Sequence, residues 1–276
     1  MNTKYTTLFA ALLLMLATGT ACDQPKPKCT AAHGNFAATF TLVKGEGVCA
    51  ELSSGVLNVQ SYNESKNGPN SVLDQNKPTI AIQSQDTTDV LWSGRETDPD
   101  EKTYAFGGFD APDPDGDGIC HAKSLSTAVL KAAATEEVPP MMVDECTFDP
   151  GQPAQEPIDI RYDWSNVRVV VTPSAIGTKL EADLEYSVGD CTATYKVAAV
   201  WPLVECGSPV EGSGDEPAPM DDPDADAGVD PNCPVEEAEP PPPELEADDS
   251  ICESQGVIPD FPVHCDPGLL MCVLDD

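Results

Sequence analysis

The chain has 276 residues, of which 48 are Asp or Glu and 14 are Lys or Arg, so its formal net charge is −34. Nucleic acid and anionic membrane surfaces would repel such a protein, which excludes nucleic acid as an expected partner. The charge suits cations or basic partners, although solubility alone also explains it. The length allows one ordinary domain and additional segments.

The first 22 residues have the order of a secretory signal peptide. Lys4 gives a positive start, residues 8–17 are apolar, and small residues follow. The apolar run is shorter than the roughly 20 residues that cross a bilayer. Residues 19–22 (GTAC) resemble the bacterial lipobox, although Leu is usual at the first position. The resemblance implies removal of residues 1–21 and lipidation of Cys22. The alternative is ordinary secretion, with Cys22 in a disulfide.

The cysteine count agrees with lipidation. The chain has 11 Cys, and setting Cys22 aside leaves an even number, which suits disulfides in an oxidising compartment. Cys120–Cys146 is the best single pair because its loop is short, and Cys29–Cys206 would join the ends of the main domain. We expect separate pairing within the body (Cys29, Cys49, Cys120, Cys146, Cys191, Cys206) and within the tail (Cys233, Cys252, Cys265, Cys272).

Short β-strand patterns dominate the region after Cys29. Residues 36–42 alternate apolar and polar side chains, which predicts a half-buried strand. Further β-like runs are separated by clusters of Gly, Asn, Pro and Asp. These runs are residues 57–62, 79–83, 90–92 and 104–106, and later residues 158–162 and 167–172.

Residues 180–201 carry the clearest pattern, a β-hairpin. Gly189-Asp190 suits a two-residue type II′ turn, in which Gly comes first. A slip of one residue would move every apolar side chain to the other face of the sheet, so the register is strongly specified. The predicted register places Leu180, Ala182, Leu184, Tyr186 and Val188 opposite Ala199, Val197, Tyr195, Ala193 and Cys191, and Asp183 opposite Lys196.

Residues 124–135 (SLSTAVLKAAAT) are the one helix candidate, because Ser124 can cap the segment and Ala is abundant. Pro139-Pro140 would end the helix. The body, residues 29–207, is therefore predicted to be a mainly β domain held by disulfides. It would form an antiparallel sandwich or a small barrel with one short helix.

The regions on either side of this domain have a different composition. Residues 22–28 are predicted to be a lipidated Cys and a short spacer. Residues 208–276 contain 20 Asp and Glu and no Lys or Arg. Residues 208–249 are predicted to be a disordered, acidic, Pro-rich linker because they contain too little apolar surface to offset ordering entropy. Apolar residues return in residues 250–276, a small Cys-containing C-terminal segment.

One motif suggests a metal. Residues 113–119 (DPDGDGI) resemble the start of an EF-hand loop and, more closely, a thrombospondin type 3 calcium repeat. The resemblance implies that Asp113, Asp115 and Asp117, with the Ile119 carbonyl, bind Ca²⁺ weakly, in the range of about 10⁻⁴–10⁻³ M. The alternative is a rigid Asp/Gly/Pro turn before a disulfide at Cys120. We expect no other cofactor.

No catalytic signature stands out in the sequence. His33, His121 and His264 lack zinc-site spacing, and G-x-S-x-G, P-loop and dinucleotide motifs are absent from the sequence. Taken together, Cys22, the strand at residues 36–42, the Asp/Gly turn before Cys120 and the acidic tail make the chain similar to acidic, Cys-containing envelope lipoproteins of myxobacterial type. That resemblance implies a location rather than an activity.

The leading hypothesis is a non-enzymatic, membrane-anchored extracytoplasmic lipoprotein that acts by display or binding. Its partner would be a protein or a glycan, and its place the outer membrane or cell surface rather than the inner membrane. One alternative is a Ca²⁺-dependent binding or adhesion module. The other is an extracellular hydrolase whose site is not visible in the sequence.

Overall fold

A computed structural model describes residues 27–66, 71–142, 148–210, 244–254 and 261–275. Cys22, Cys146 and Cys233 therefore lie outside the described residues, as does most of the acidic linker. The strands are β1 Gly34–Lys44, β2 Ser54–Ser65, β3 Leu73–Ser84, β4 Ala105–Gly108, β5 Ile119–Ser124, β6 Ala128–Ala132, β7 Met141–Met142, β8 Phe148–Asp149, β9 Ile158–Val171, β10 Ile176–Val188, β11 Cys191–Val200, β12 Gly207–Pro209, β13 Leu245–Ala247, β14 Val263–Asp266 and β15 Met271–Leu274. The helices are α1 Gln85–Trp92, α2 Asp249–Ser254 and a short 3-10 helix, Val48–Ala50.

A nine-stranded antiparallel sheet forms the body of the protein. Its order is β4-β3-β2-β1-β11-β10-β9-β5, and β6 also pairs with β9. The two edges of this sheet meet, because the Ser126 N–H donates to the Phe106 carbonyl at 2.8 Å and the Val129 N–H donates to the Lys102 carbonyl at 2.7 Å. The mainly β prediction is confirmed, and of its two alternatives the structure has the small barrel.

Alternate residues of the barrel strands point inward and form one core. Phe36, Leu57 and Ile80 are buried in this core, and Tyr195 is buried among them. The Tyr195 hydroxyl donates to the Cys49 carbonyl at 2.6 Å, so the polar end of this side chain is satisfied inside the protein. The predicted hairpin forms β10 and β11 with every expected pairing, from Val188 opposite Cys191 to Leu180 opposite Ala199.

The two predicted strands at residues 158–162 and 167–172 are one strand, β9. The pairing of β9 with β10 shifts by one residue between Asp183 and Glu181, where Asn166 adopts a positive φ of 50°. This bulge keeps β9 continuous while the inward alternation changes from Trp164 to Val167. Asn suits such a position because it tolerates the left-handed region better than most residues.

Two secondary-structure predictions are wrong. Residues 124–135 do not form a helix, because Ala128, Leu130 and Ala132 alternate into the interior and β6 pairs with β9. Residues 90–92 are not a strand but the end of α1. In residues 124–135, pairing with β9 outweighs a weak local preference for helix. Residues 90–92 pair with no described strand, so their weak local preference for strand does not decide their structure.

Four disulfides join described residues: Cys29 with Cys120, Cys49 with Cys191, Cys206 with Cys265, and Cys252 with Cys272. The predicted pairs Cys120–Cys146 and Cys29–Cys206 are wrong. The separate pairing of body and tail is also wrong, because Cys206 belongs to the first and Cys265 to the second. Closure of the barrel brings Cys29 beside β5, which contains Cys120. The Cys29 N–H also donates to the Pro112 carbonyl, in the loop before β5, at 2.9 Å.

The C-terminal segment packs against the outside of the barrel. Cys272, Val273 and Leu274 form a second apolar cluster with Ala37 and Val200, which lie on the outer face of β1 and β11. In addition, β12 pairs with β13, so the two sides of the acidic linker meet. Among the described residues, no helix has both the length and the apolar character needed to span a membrane.

Candidate functional site

The predicted calcium loop lies immediately before β5, and the carboxylates of Asp113 and Asp115 already have protein partners. Asp115 Oδ1 accepts the N–H groups of Asp117 and Ile119, each at 2.9 Å. Asp115 Oδ2 lies 2.8 Å from His121 Nε2. The hydrogen bond from His121, followed by that from the Ile119 N–H, holds the pKa of Asp115 below its ordinary value.

Asp113 points toward the N-terminal spacer, and its carboxylate lies 2.7 Å from Lys28 Nζ. Within the described part of the chain, the one group of three side chains that meets metal-ligand distances is Cys206, Cys252 and Cys265. All three belong to disulfides, so they are not free thiolates. Residues 113–119, called the Asp loop below, thus form a turn held by its own hydrogen bonds. In this turn Asp113 and Asp115 point toward different partners.

A Ser–His contact was not anticipated from the sequence. His33 Nε2 lies 3.2 Å from Ser61 Oγ, close to the distance expected between a nucleophilic serine and its general base. However, Ser61 is buried, and its Oγ donates to the Ala31 carbonyl at 3.0 Å. The Ser61 N–H also donates to His33 Nε2 at 3.4 Å. Within the described ranges, no carboxylate is hydrogen-bonded to His33 to orient it as a catalytic base. The contact instead joins the segment just before β1 to β2.

A charged surface covers the outer face of β9, β10 and β11. Lys196 pairs with Asp183 at 2.5 Å, and Arg168 pairs with Glu181. The Asn166 side chain at the bulge donates to Asp183 at 2.7 Å. These groups line an open depression of about 460 Å³, but they satisfy one another. A ligand would have to break existing ion pairs to bind there.

A different cleft lies on the outer face of β2, β3 and β4, and none of the described residues that line it is charged. Its volume is about 350 Å³, and Ala81 is the smallest residue that lines it. We call it the amide–tyrosine cleft, and its lining residues are Asn58, Gln60, Tyr62, Ala81, Ile82, Gln83 and Tyr104.

Side-chain hydrogen bonds within β2, from β2 to β1 and from β3 to Thr103 hold the amides of this cleft. Gln60 Nε2 donates to Asn58 Oδ1 at 3.3 Å, and Asn58 Nδ2 donates to Asn35 Oδ1 at 3.1 Å. Gln83 Nε2 donates to the Thr103 side chain at 3.2 Å. Among the described residues, the carbonyl oxygens of Gln60 and Gln83 accept no side-chain hydrogen bond, so each still offers an acceptor.

Two half-exposed rings stand in the cleft, since Tyr62 is 45% exposed and Tyr104 is 44% exposed. Burial, and then the proximity of Tyr104 and Glu64, raises the pKa of Tyr62, so its hydroxyl keeps its proton at neutral pH. The Phe106 ring lies 6.0 Å from the Tyr104 ring and supports it from the side.

Sequence reasoning missed this cleft, although the signal was present. Residues 58, 60 and 62 are the outward positions of a strand, and all three are uncharged in a chain in which 22% of residues are charged. The partners of these residues on β3 and β4 come from distant parts of the chain. Only the pairing of the strands places Gln83 opposite Asn58, and Ala105, the neighbour of Tyr104, opposite Ile82.

Comparison with known sequences assigns the barrel to a family. The sequence model of the MlpA family matches residues 34–202, which is more than half of the chain. The chain belongs to the MlpA family. The MlpA match begins with β1 and ends two residues after β11, so it coincides with the barrel and leaves out the C-terminal segment.

A relative from Myxococcus xanthus, named "Putative lipoprotein MlpA", is 29% identical over 106 residues. This alignment covers 37% of the present chain and 38% of the relative's length, so the chain spans well under half of that protein. The expected resemblance to lipoproteins of myxobacterial type is confirmed at this level. No solved structure matches the chain.

Proposed function

We propose that this MlpA-family protein is a membrane-anchored extracytoplasmic lipoprotein that binds a ligand without transforming it. The amide–tyrosine cleft carries the proposal. Its polar atoms face solvent in a fixed arrangement, whereas the Ser61–His33 contact and the Asp115–His121 contact are both committed to holding the fold. Binding sites are typically largely preformed, with a few well-placed polar groups.

The anchor in this proposal is the lipid on Cys22. Two or more acyl chains hold a protein on a membrane stably, whereas one chain gives only marginal binding. Lys28 lies six positions after Cys22 in the sequence, which limits the length of the tether to roughly 20 Å when fully extended. Because Lys28 pairs with Asp113, the barrel end that carries the Asp loop would face the membrane.

Cell fractionation of a Cys22→Ser variant tests the anchor. We expect the wild type in the membrane fraction and the variant in the soluble extracytoplasmic fraction. The matched control is the Cys49→Ser/Cys191→Ser double variant, which also loses cysteines but keeps the anchor and should stay with the membrane. Mass spectrometry of the wild type should find acyl chains on Cys22. An unmodified Cys22, or a membrane-bound Cys22→Ser protein, would contradict the proposal.

A further inference from the structure

We propose that the ligand of the amide–tyrosine cleft is a neutral polysaccharide chain. This inference rests on the binding function proposed above and names the chemical class of its ligand. Three observations on the cleft support it: the lining is uncharged, two tyrosine rings are exposed at its surface, and amide groups are presented in a fixed array.

The charge of the protein argues for a neutral ligand. The chain carries a net charge of −34, which disfavours polyanions by long-range repulsion. A cationic ligand would be expected to meet carboxylates, but the described lining of the cleft contains none. Glu64, which lies near Tyr62, is already paired with Lys77 at 3.4 Å. The remaining class is an uncharged ligand rich in hydroxyl groups.

The side chains match the two surfaces of a sugar ring. The faces of a hexose present C–H groups, which pack against the flat, electron-rich face of an aromatic ring. Its hydroxyls are both donors and acceptors, which is also true of Asn and Gln amides. Tyr62 and Tyr104 provide the rings, and Gln60 and Gln83 provide acceptors that no described side chain uses.

The cleft is preorganised for this task. The Gln60–Asn58–Asn35 ladder fixes three amides across β2 and β1, so less side-chain entropy is lost when a ligand binds. The Phe106 ring lies against the Tyr104 ring, and Lys102 Nζ lies 4.7 Å from the centre of the Phe106 ring. A volume of about 350 Å³ is near the lower end of ligand sites, and the cleft is open. It therefore suits a short stretch of a longer chain that continues past both ends.

Native affinity electrophoresis tests the proposal with the full mature chain carrying Cys22→Ser, so that no lipid is present. The gels contain hydroxyethyl cellulose, dextran, galactomannan or xyloglucan, and a parallel gel contains polygalacturonate as an anionic polymer. We expect at least one neutral polymer to retard the protein and polygalacturonate to leave its mobility unchanged. No retardation by any of the four neutral polymers would overturn the inference, as would stronger retardation by polygalacturonate.

Variants then locate the site. Tyr62→Ala and Tyr104→Ala should each raise the apparent dissociation constant about tenfold, since losing a stacked ring of about 1.4 kcal/mol has that effect. Trp92→Ala is the matched control, because Trp92 is an 86% exposed aromatic residue that does not line the cleft. Equal effects in all three would overturn the inference. Should Tyr62→Ala not fold, Gln83→Ala tests the same cleft from β3, and unchanged retardation there would count against the inference.

The same gels separate this inference from the proposed function. If the bound polymer were cleaved, as shown by newly formed reducing ends, binding of a glycan would stand but the non-enzymatic function would be wrong. If Cys22 is lipidated and the four neutral polymers have no effect, the lipoprotein proposal stands and the glycan inference fails.

Discussion

The disulfide between Cys206 and Cys265 crosses a sequence separation of 59 residues and joins the end of the barrel to β14. Both sulfur atoms are buried in the second apolar cluster, beside the disulfide between Cys252 and Cys272. The acidic linker lies between the two bonded positions in sequence. The C-terminal segment is therefore held at the wall of the barrel, and is not suspended at the end of the linker.

We predict that the Cys206→Ser/Cys265→Ser double variant loosens the C-terminal segment but leaves the barrel folded. Loss of the disulfide should cost about 2–4 kcal/mol in the docking of this segment. Limited proteolysis should release residues after the linker from the variant and leave a resistant barrel fragment. The wild type, digested without reductant, should keep both parts together. Equal protease resistance of variant and wild type would contradict the prediction.

The Asp loop should respond to Ca²⁺ and Mg²⁺ alike. Lys28 is already paired with Asp113 and His121 is hydrogen-bonded to Asp115, so weak screening of the acidic surface should raise the melting temperature similarly with either ion. The measurement is a thermal melt with each chloride salt at equal ionic strength. A larger rise with Ca²⁺ that disappears in Asp115→Asn/Asp117→Asn would show that the loop opens and binds calcium.

The negative charges of Asp183 and Asp86 should have opposite effects on the free energy of unfolding at neutral pH. The Lys196 hydrogen bond, partly opposed by burial, holds the pKa of Asp183 below its ordinary value of 3.8. The ionised group thus stabilises the fold above that pH, and this contribution is lost as the pH falls through the lower folded pKa. Asp183→Asn should therefore cost about 0.5 kcal/mol at pH 7, a typical figure for a partly exposed ion pair, and progressively less as the pH falls below 3.8.

Asp86, at the start of α1, has the reverse dependence. Burial, followed by the charge of Asp89, raises the pKa of Asp86 above its ordinary value of 3.8. The stabilisation is thus present when the group is protonated and is lost as the pH rises through the raised pKa. Asp86→Asn should increase the melting temperature at pH 7 and have little effect at pH 3. Melts of both variants across pH 2–8 measure this, and a decrease for Asp86→Asn at pH 7 would contradict it.

Ser61 should be a structural residue. It is 8% exposed and its Oγ contacts the Ala31 carbonyl and, at 2.8 Å, Thr30 Oγ1. Ser61→Ala removes both hydrogen bonds, and among the described residues the buried Ala31 carbonyl then keeps only the 3.3 Å hydrogen bond from Thr30 Oγ1. The substitution should lower the free energy of unfolding by about 1 kcal/mol. Ser53→Ala, at an exposed position, is the control and should change it little. Urea denaturation measures both, and an unchanged stability in Ser61→Ala would free this serine for another role.

Local periodicity in the sequence determined the best predicted parts of the fold. The β10–β11 hairpin follows from a two-residue period and a Gly-first turn, which together leave one register that buries an entire apolar face. The strand at residues 36–42 follows from the same period. These signals lie within a few residues of one another, so no knowledge of distant partners is needed.

Tertiary structure decided what depends on distant partners. Residues 128–132 have helical composition, yet they form β6 because β9 offers unpaired backbone groups and the barrel interior accepts three alternating apolar side chains. Disulfide partners follow from the same closure, which places Cys29 beside Cys120. The amide–tyrosine cleft is likewise assembled from three strands, which become neighbours only when the sheet forms. The local pattern of any one strand does not encode the energies with which it pairs with distant strands.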